Sequence, residues 1–168
     1  MAAKMQDVFN LLPGIMCSVL QKDGVDIWAP TPSTIIRSLR NLDQSIHSLK
    51  LEDDDPDAVV LDDGIRATRI VEIPHFVEKL LRVDGYSGIS DAIQDYFDVK
   101  LNKNFFKFPY DWRRDNRSSA RRLKKFVDVH LKAWRESSGN DEAKVILLAH
   151  SMGGLVSRYY LEVLGGWD

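Results

Sequence analysis

Ser151 is the residue whose neighbours in the chain best equip it for chemistry. It follows the apolar run Val145-Ile146-Leu147-Leu148-Ala149, which has the length of a strand, and His150. A helical pattern then starts at Met152-Gly153-Gly154-Leu155-Val156. A serine between a buried strand and a helix sits on a turn so tight that the residues two before and two after it must be small. Here they are Ala149 and Gly153. The turn lifts the hydroxyl out of the sheet, in front of a helix end with free N–H groups and a positive dipole. Such a hydroxyl can attack an acyl carbonyl, with the Met152 N–H placed to stabilise the oxyanion that forms. Alanine stands where a first glycine is usual, and it still meets the steric demand. The bland alternative is a buried serine in an ordinary strand-to-helix turn.

A second oxyanion donor is expected from the loop after an early strand. Val8-Phe9-Asn10-Leu11-Leu12 reads as that strand, ended by Pro13-Gly14, and Ile15 is the candidate donor. Taken alone, the segment is a plain strand-to-loop turn. The serine also needs a base to take its proton and an acid to orient that base. On a strand-turn-helix serine of this kind, both follow the nucleophile in the chain. All four histidines, His47, His75, His130 and His150, precede or adjoin Ser151, and the acids after it are Glu162 and Asp168. His150 adjoins the nucleophile on a tight turn, so its side chain should point away. Glu162 falls in the helix behind the turn. The expectation is an N-terminal part of a larger catalytic domain, with the nucleophile and most of the oxyanion hole but without acid and base. A less economical reading recruits His75 or His130 as the base.

The 168 residues carry a net charge of −2 and are 44% hydrophobic, an ordinary globular composition of about one domain. A single cysteine, Cys17, excludes an internal disulfide framework and an all-cysteine metal site. No apolar run approaches the ~20 residues of a membrane span. Asn10, Pro13 and Gly14 interrupt any leader-like core near the N-terminus, so the default location is cytoplasmic.

The elements that must position Ser151 follow from periodicity. Residues 23 to 33 read as loop, punctuated by Gly24, Pro30 and Pro32, with Trp28 as packing. Ser33 to Leu49 has apolar residues at helical spacing and reads as a helix, either core or lid. Ile65 to Ile73 reads as a strand and His75 to Leu81 as a short helix after Pro74. Tyr86 to Val99 carries Ile89, Ile93, Tyr96 and Phe97 at helical spacing. Asn104 to Tyr110 is aromatic and strand-like. Ala120, Leu123, Val127, Leu131 and Trp134 make Asn116 to Glu136 an amphipathic helix, stopped at Ser137-Ser138-Gly139-Asn140. Strand, helix, strand, helix in this order is a βαβ unit, which predicts a parallel sheet with a right-handed crossover and flanking helices.

Two charged stretches have competing readings. Arg113, Arg114, Arg117, Arg121, Arg122, Lys124 and Lys125 could hold phosphate, nucleic acid or anionic lipid. No nucleic-acid motif accompanies them, and half of the run lies on the polar face of a helix, so a solvated face is the expectation. Arg113 and Arg114, which precede that helix, could instead pair with carboxylates in the core. Glu52-Asp53-Asp54-Asp55-Pro56-Asp57 reads as a solvated loop. As a calcium loop it fails, with Ala58 where a glycine is required and Gly64 where the bidentate glutamate belongs.

Leu12-Pro13-Gly14-Ile15-Met16, Ile27-Trp28-Ala29-Pro30, Asp84-Gly85-Tyr86, Phe108-Pro109-Tyr110-Asp111-Trp112-Arg113-Arg114-Asp115-Asn116-Arg117 and Ala149-His150-Ser151-Met152-Gly153-Gly154 together resemble the lecithin:cholesterol acyltransferase family. The resemblance runs over nearly the whole chain, and the Phe108–Arg117 block is its most specific part. It implies an α/β-hydrolase fold acting on acyl esters of phospholipid type, by hydrolysis or transacylation, without metal or cofactor. Residues 1–168 would be the N-terminal part of one such domain, with lid or cap insertions within about residues 20 to 100. Peripheral contact with a membrane or lipoprotein surface is implied too, and nucleic acid is not. One departure stands out: the family usually has glycine where Cys17 stands. If that position has positive φ, cysteine costs about 1 kcal/mol. A reading from another class is a non-catalytic module on the same fold that docks anionic lipid or a partner through Arg113–Lys125.

Overall fold

The computed structural model describes residues 5–29, 49–51, 53–72 and 86–167. The helices read from the sequence over Ser33–Leu49 and His75–Leu81 lie essentially outside the described residues. Elements run β1 (Val8–Leu12), β2 (Ser18–Lys22), β3 (Val25–Trp28), β4 (Ile65–Ile70), α1 (Ser87–Tyr96), β5 (Phe105–Lys107), α2 (Asn116–Ser138), β6 (Val145–Ala149) and α3 (Met152–Val163). Two three-stranded sheets result, one of order β5-β1-β6 and the other β3-β2-β4.

In the first sheet all neighbours are parallel, as the βαβ reading requires, and β1 is central and buried at every residue. The alternation of β1 divides the core. Phe9 and Leu11 face Phe105, Tyr86, and Ile93 of α1. Leu12 faces the other way, toward Phe108, Tyr110, Ala120, Leu123 and Val127, with Val156 and Tyr160 of α3. Helix α2 starts where Asp115 caps it, accepting from the Arg117 N–H at 2.8 Å, and stops where Gly139 turns left-handed at φ 69°. It then returns the chain to β6, which pairs with β1 from Val8↔Val145 to Leu12↔Ala149.

The second sheet departs from the sequence reading. Residues read as loop contain β3, and β2 gave no periodic signal. Both belong to an antiparallel sheet in which the central β2 pairs with β3 and β4, with irregular register at Leu20 in each pairing. Trp28 packs edge-on against Trp112, ring centres 5.3 Å apart, consistent with a packing role.

The two charged stretches meet each other, and their solvated readings are corrected at Arg113, Arg114 and Asp54, while Asp53, Asp55, Asp57, Arg117 and Lys125 are exposed as expected. Arg114 is only 8% exposed. Its Nε donates to Asp54 Oδ1 at 2.9 Å, and its guanidinium also reaches the carbonyls of Asp55 (2.9 Å) and Ala58 (3.0 Å). Arg113 pairs with Asp111 at 2.5 Å and Asp63 at 2.8 Å, and Arg121 binds Asp57. Arg122 donates to the Pro109 carbonyl at 2.6 Å and lies over the Phe108 ring. The Asp54 carboxylate accepts the Asp115 N–H at 2.5 Å, joining the acidic loop to the start of α2. The expectation that Arg113 and Arg114 pair with carboxylates holds. Removing one partner of a buried ion pair leaves the other charge uncompensated, so Arg114→Ala should lower stability by about 3 kcal/mol in urea denaturation. Lys125→Ala, on the exposed face, should leave the midpoint unchanged.

Candidate active site

Ser151 sits at the N-cap position of α3 with φ 51° and ψ −121°, a backbone conformation that L residues rarely adopt. Serine at an N-cap ordinarily spends its oxygen on the helix's own N–H groups. Here it makes no capping hydrogen bond, and the residue is exposed. The turn satisfies itself through backbone bonds, Gly153 N–H to His150 O and Gly154 N–H to Ser151 O, each 2.9 Å. Among the described residues, neither the Met152 N–H nor the Ile15 N–H makes a backbone hydrogen bond.

The smallness demanded at Gly153 has a definite cause. A β-carbon there would lie 2.7 Å from the Pro13 carbonyl oxygen and 2.9 Å from that of Leu12. The end of β1 is pressed against the first turn of α3, and backbone cannot give way. The loop that follows lies on the same turn: a β-carbon on Gly14 would be 3.0 Å from His150 Nδ1 and 3.2 Å from Ser151 Cβ. The structure thus brings Gly14, the residue before Ile15, to the serine.

The loop is held from several sides. The Tyr110 hydroxyl donates to the Pro13 carbonyl at 2.7 Å, and the Gly14 N–H donates to the Tyr86 oxygen at 2.7 Å. Trp28 Nε1 donates to the Met16 carbonyl at 2.9 Å. Positive φ falls on Met16, at 63°, and not on Cys17, so cysteine in place of the family's glycine carries no left-handed strain. The Cys17 thiol lies against Tyr86, and burial pushes its pKa up, which makes it a poor nucleophile. Ile15 and Met16 at the loop tip are 52% and 43% exposed, and Leu155 in the first turn of α3 is 58% exposed.

Acid and base do not join this arrangement among the described residues. The His150 ring is bound to Tyr86, with Oη to Nδ1 at 2.8 Å. His130 is stacked on Phe106 with ring centres 3.9 Å apart, and burial lowers its pKa. Phe106 is level with Asn10 and Leu147, four residues before Ser151, or about 13 Å along the strand, so His130 is at the wrong end of the sheet for a base. His47 and His75 lie outside the described residues, as does Asp168. Glu162 pairs with Arg158 on an exposed face at 3.0 Å. Among the described residues no group of acidic, histidine or cysteine side chains could hold a metal ion, and no helix is long and apolar enough to cross a membrane.

Tyr86 and Tyr110 are the site residues that periodicity missed. Both read as packing aromatics, and the only signal for them was their place in blocks shared with a known family.

A parallel sheet with helices on both faces, and a strained, uncapped serine between its edge strand and a helix, define an α/β-hydrolase-like protein in part. The chain belongs to the lecithin:cholesterol acyltransferase family, whose sequence model matches residues 47–167. No curated protein matches the sequence. Among solved structures, a chain in the crystal structure of the Tle4-Tli4 complex superposes with a TM-score of 0.54 at 17% identity. The match covers 97% of this chain and 43% of that one, so this chain spans less than half the length of its structural neighbour. At that identity the likeness concerns the fold.

The crowding at Gly153 generates a stability prediction. Gly153→Val should abolish a cooperative thermal melt, whereas Ser151→Ala should melt within a degree or two of the parent. Ser151→Gly should be more stable by about 1 kcal/mol, because glycine relieves the positive φ. Equal losses for Gly153→Val and Ser151→Ala would remove the steric basis of the turn.

Proposed function

We propose that this protein is a serine-dependent acyl ester hydrolase or O-acyltransferase acting on lipid esters of phospholipid type, with Ser151 as nucleophile. The observation that carries the reading is the exposed Ser151 hydroxyl at positive φ, left free of capping while Gly14 packs against it. The backbone N–H groups of Met152 and Ile15 would receive the oxyanion. The serine oxygen attacks the ester carbonyl carbon as a base takes the hydroxyl proton, and the carbonyl π electrons move to oxygen. The tetrahedral intermediate then expels the alcohol as its proton is returned. Water or an acceptor hydroxyl next releases the acyl group by the same steps in reverse. The exposed apolar side chains of Ile15, Met16 and Leu155 beside the serine favour an acyl chain over a polar substituent. Family membership supports the ester class and leaves the head group and acceptor open.

The base and acid that complete the triad are then contributed by residues outside those the structure describes. Without a base, Ser151 is a neutral hydroxyl and a poor nucleophile at pH 7. An oxyanion hole and substrate binding alone leave at most about 10³–10⁴-fold over water. Unless His47 or His75 serves as that base, residues 1–168 by themselves should show negligible hydrolysis of a p-nitrophenyl acyl ester and little labelling by a fluorophosphonate. Any form of the protein in which an acid and a histidine reach the serine should do both, and lose both with Ser151→Ala. Ordinary turnover by residues 1–168, lost in Ser151→Ala, would mean that a histidine of this segment is the base. Turnover that survives Ser151→Ala would end the proposal.

A further inference from the structure

Pro13 and Gly14 share one peptide unit, and a tyrosine hydroxyl binds each end of it. Tyr110, wholly buried, donates to the carbonyl oxygen at 2.7 Å. The N–H donates to Tyr86 Oη, also at 2.7 Å. The Tyr86 oxygen is in turn 2.8 Å from Nδ1 of His150, the residue before the serine. That oxygen, which accepts the Gly14 N–H, can give its own proton to Nδ1, which requires the His150 ring proton on Nε2, or accept from the ring and turn its proton to the Cys17 thiol.

We infer that Tyr86 and Tyr110 are positioning residues that clamp the Pro13–Gly14 peptide and so aim the Ile15 N–H at the acyl oxygen. The inference rests on the function proposed above. The clamped peptide immediately precedes Ile15, so its plane limits where the Ile15 N–H can point. The same peptide supplies the carbonyl that roofs Gly153, and through His150 the clamp reaches the residue before Ser151. Two hydroxyls therefore tie the loop to the turn that carries both nucleophile and Met152. Burial pushes Tyr86 up to about 12 and raises Tyr110 as well, so both remain protonated donors through the neutral range. Tyr86 comes from the start of α1 and Tyr110 from the segment after β5, so both faces of the sheet grip the loop.

A merely structural tyrosine would lower the melting temperature without changing turnover by the folded enzyme. A positioning tyrosine acts on the transition state and spares substrate binding. In residues 1–168, the Gly14 amide should exchange slowly with solvent, and ¹⁵N NMR of neutral His150 should show the Nε2–H tautomer. Tyr86→Phe should speed Gly14 exchange and mix the tautomers. A fast-exchanging Gly14 amide in the parent chain overturns the clamp, and an Nδ1–H ring overturns its extension to His150 through the Tyr86 proton, even if neither variant folds. In a form of the protein that turns over the ester, Tyr86→Phe and Tyr110→Phe should each lower kcat for a p-nitrophenyl ester about tenfold to a hundredfold, with KM little changed. A changed KM at constant kcat, or parental values for both, overturns the positioning role. Ser151→Ala separates the two ideas: turnover that survives it removes the nucleophile, while the exchange and tautomer results still judge the clamp.

Discussion

The carbonyl oxygens of Leu12 and Pro13 lie so close to the first turn of α3 that no side chain fits between them, and the rest of the site depends on that approach. Helix and strand end meet here through backbone alone. The approach requires glycine at position 153. It also leaves the chain between β6 and α3 too little length for a relaxed turn, and Ser151 absorbs the strain as positive φ. A residue held in that region persists only where its surroundings over-determine it. Here they include five β1–β6 register pairs, the His150 N–H to Leu12 O bond of 3.0 Å, and the two first-turn bonds of α3.

The Phe108–Arg117 block is best understood as the frame around this approach. Phe108 and Tyr110 pack with Leu12 and the helices, while the Tyr110 hydroxyl steadies Pro13. Trp112 Nε1 donates to the Ser18 carbonyl at 3.1 Å, and the Ser18 hydroxyl accepts the Tyr110 N–H at 3.1 Å. The block thereby joins the parallel sheet to the antiparallel sheet, which otherwise has its own small core around Val19 and Val71. Asp111, Arg113, Arg114 and Asp115 extend the frame to the acidic loop.

That ionic clasp changes what the basic run can do. Arg113, Arg114 and Arg121 are committed to Asp63, Asp111, Asp54 and Asp57, and Lys124 donates to the Leu164 carbonyl at 2.8 Å. Cations already paired with carboxylates and carbonyls gain little from a lipid phosphate, because that exchange gives up one set of charge-assisted bonds for another. The anionic-docking reading is weakened for this reason, and the catalytic reading needs none of these charges.

Features legible in the sequence are those fixed by neighbours in the chain. The VILLA run before Ser151 reads as a parallel strand because it is apolar on both faces, although at the edge of the described sheet it is only partly buried, and Ala149 and Gly153 mark the turn by size. Helix α2 was readable from its 3.6-residue spacing and its Gly139 stop, and the structure extends it by two residues. β1 and the loop after it were legible for the same local reason. β2 and β3 were not: such short strands make no clear alternation, and the central β2 is completed by β4, more than forty residues away. The charged stretches were misread because composition reports charge but not where the opposite charge arrives, and Asp54 reaches Arg114 across sixty residues. Tyr86 and Tyr110 look like ordinary core aromatics in sequence. Only folding brings their hydroxyls to the two ends of one peptide, because hydrogen bonds across such separations are set by how the layers stack and leave no periodic trace in the chain.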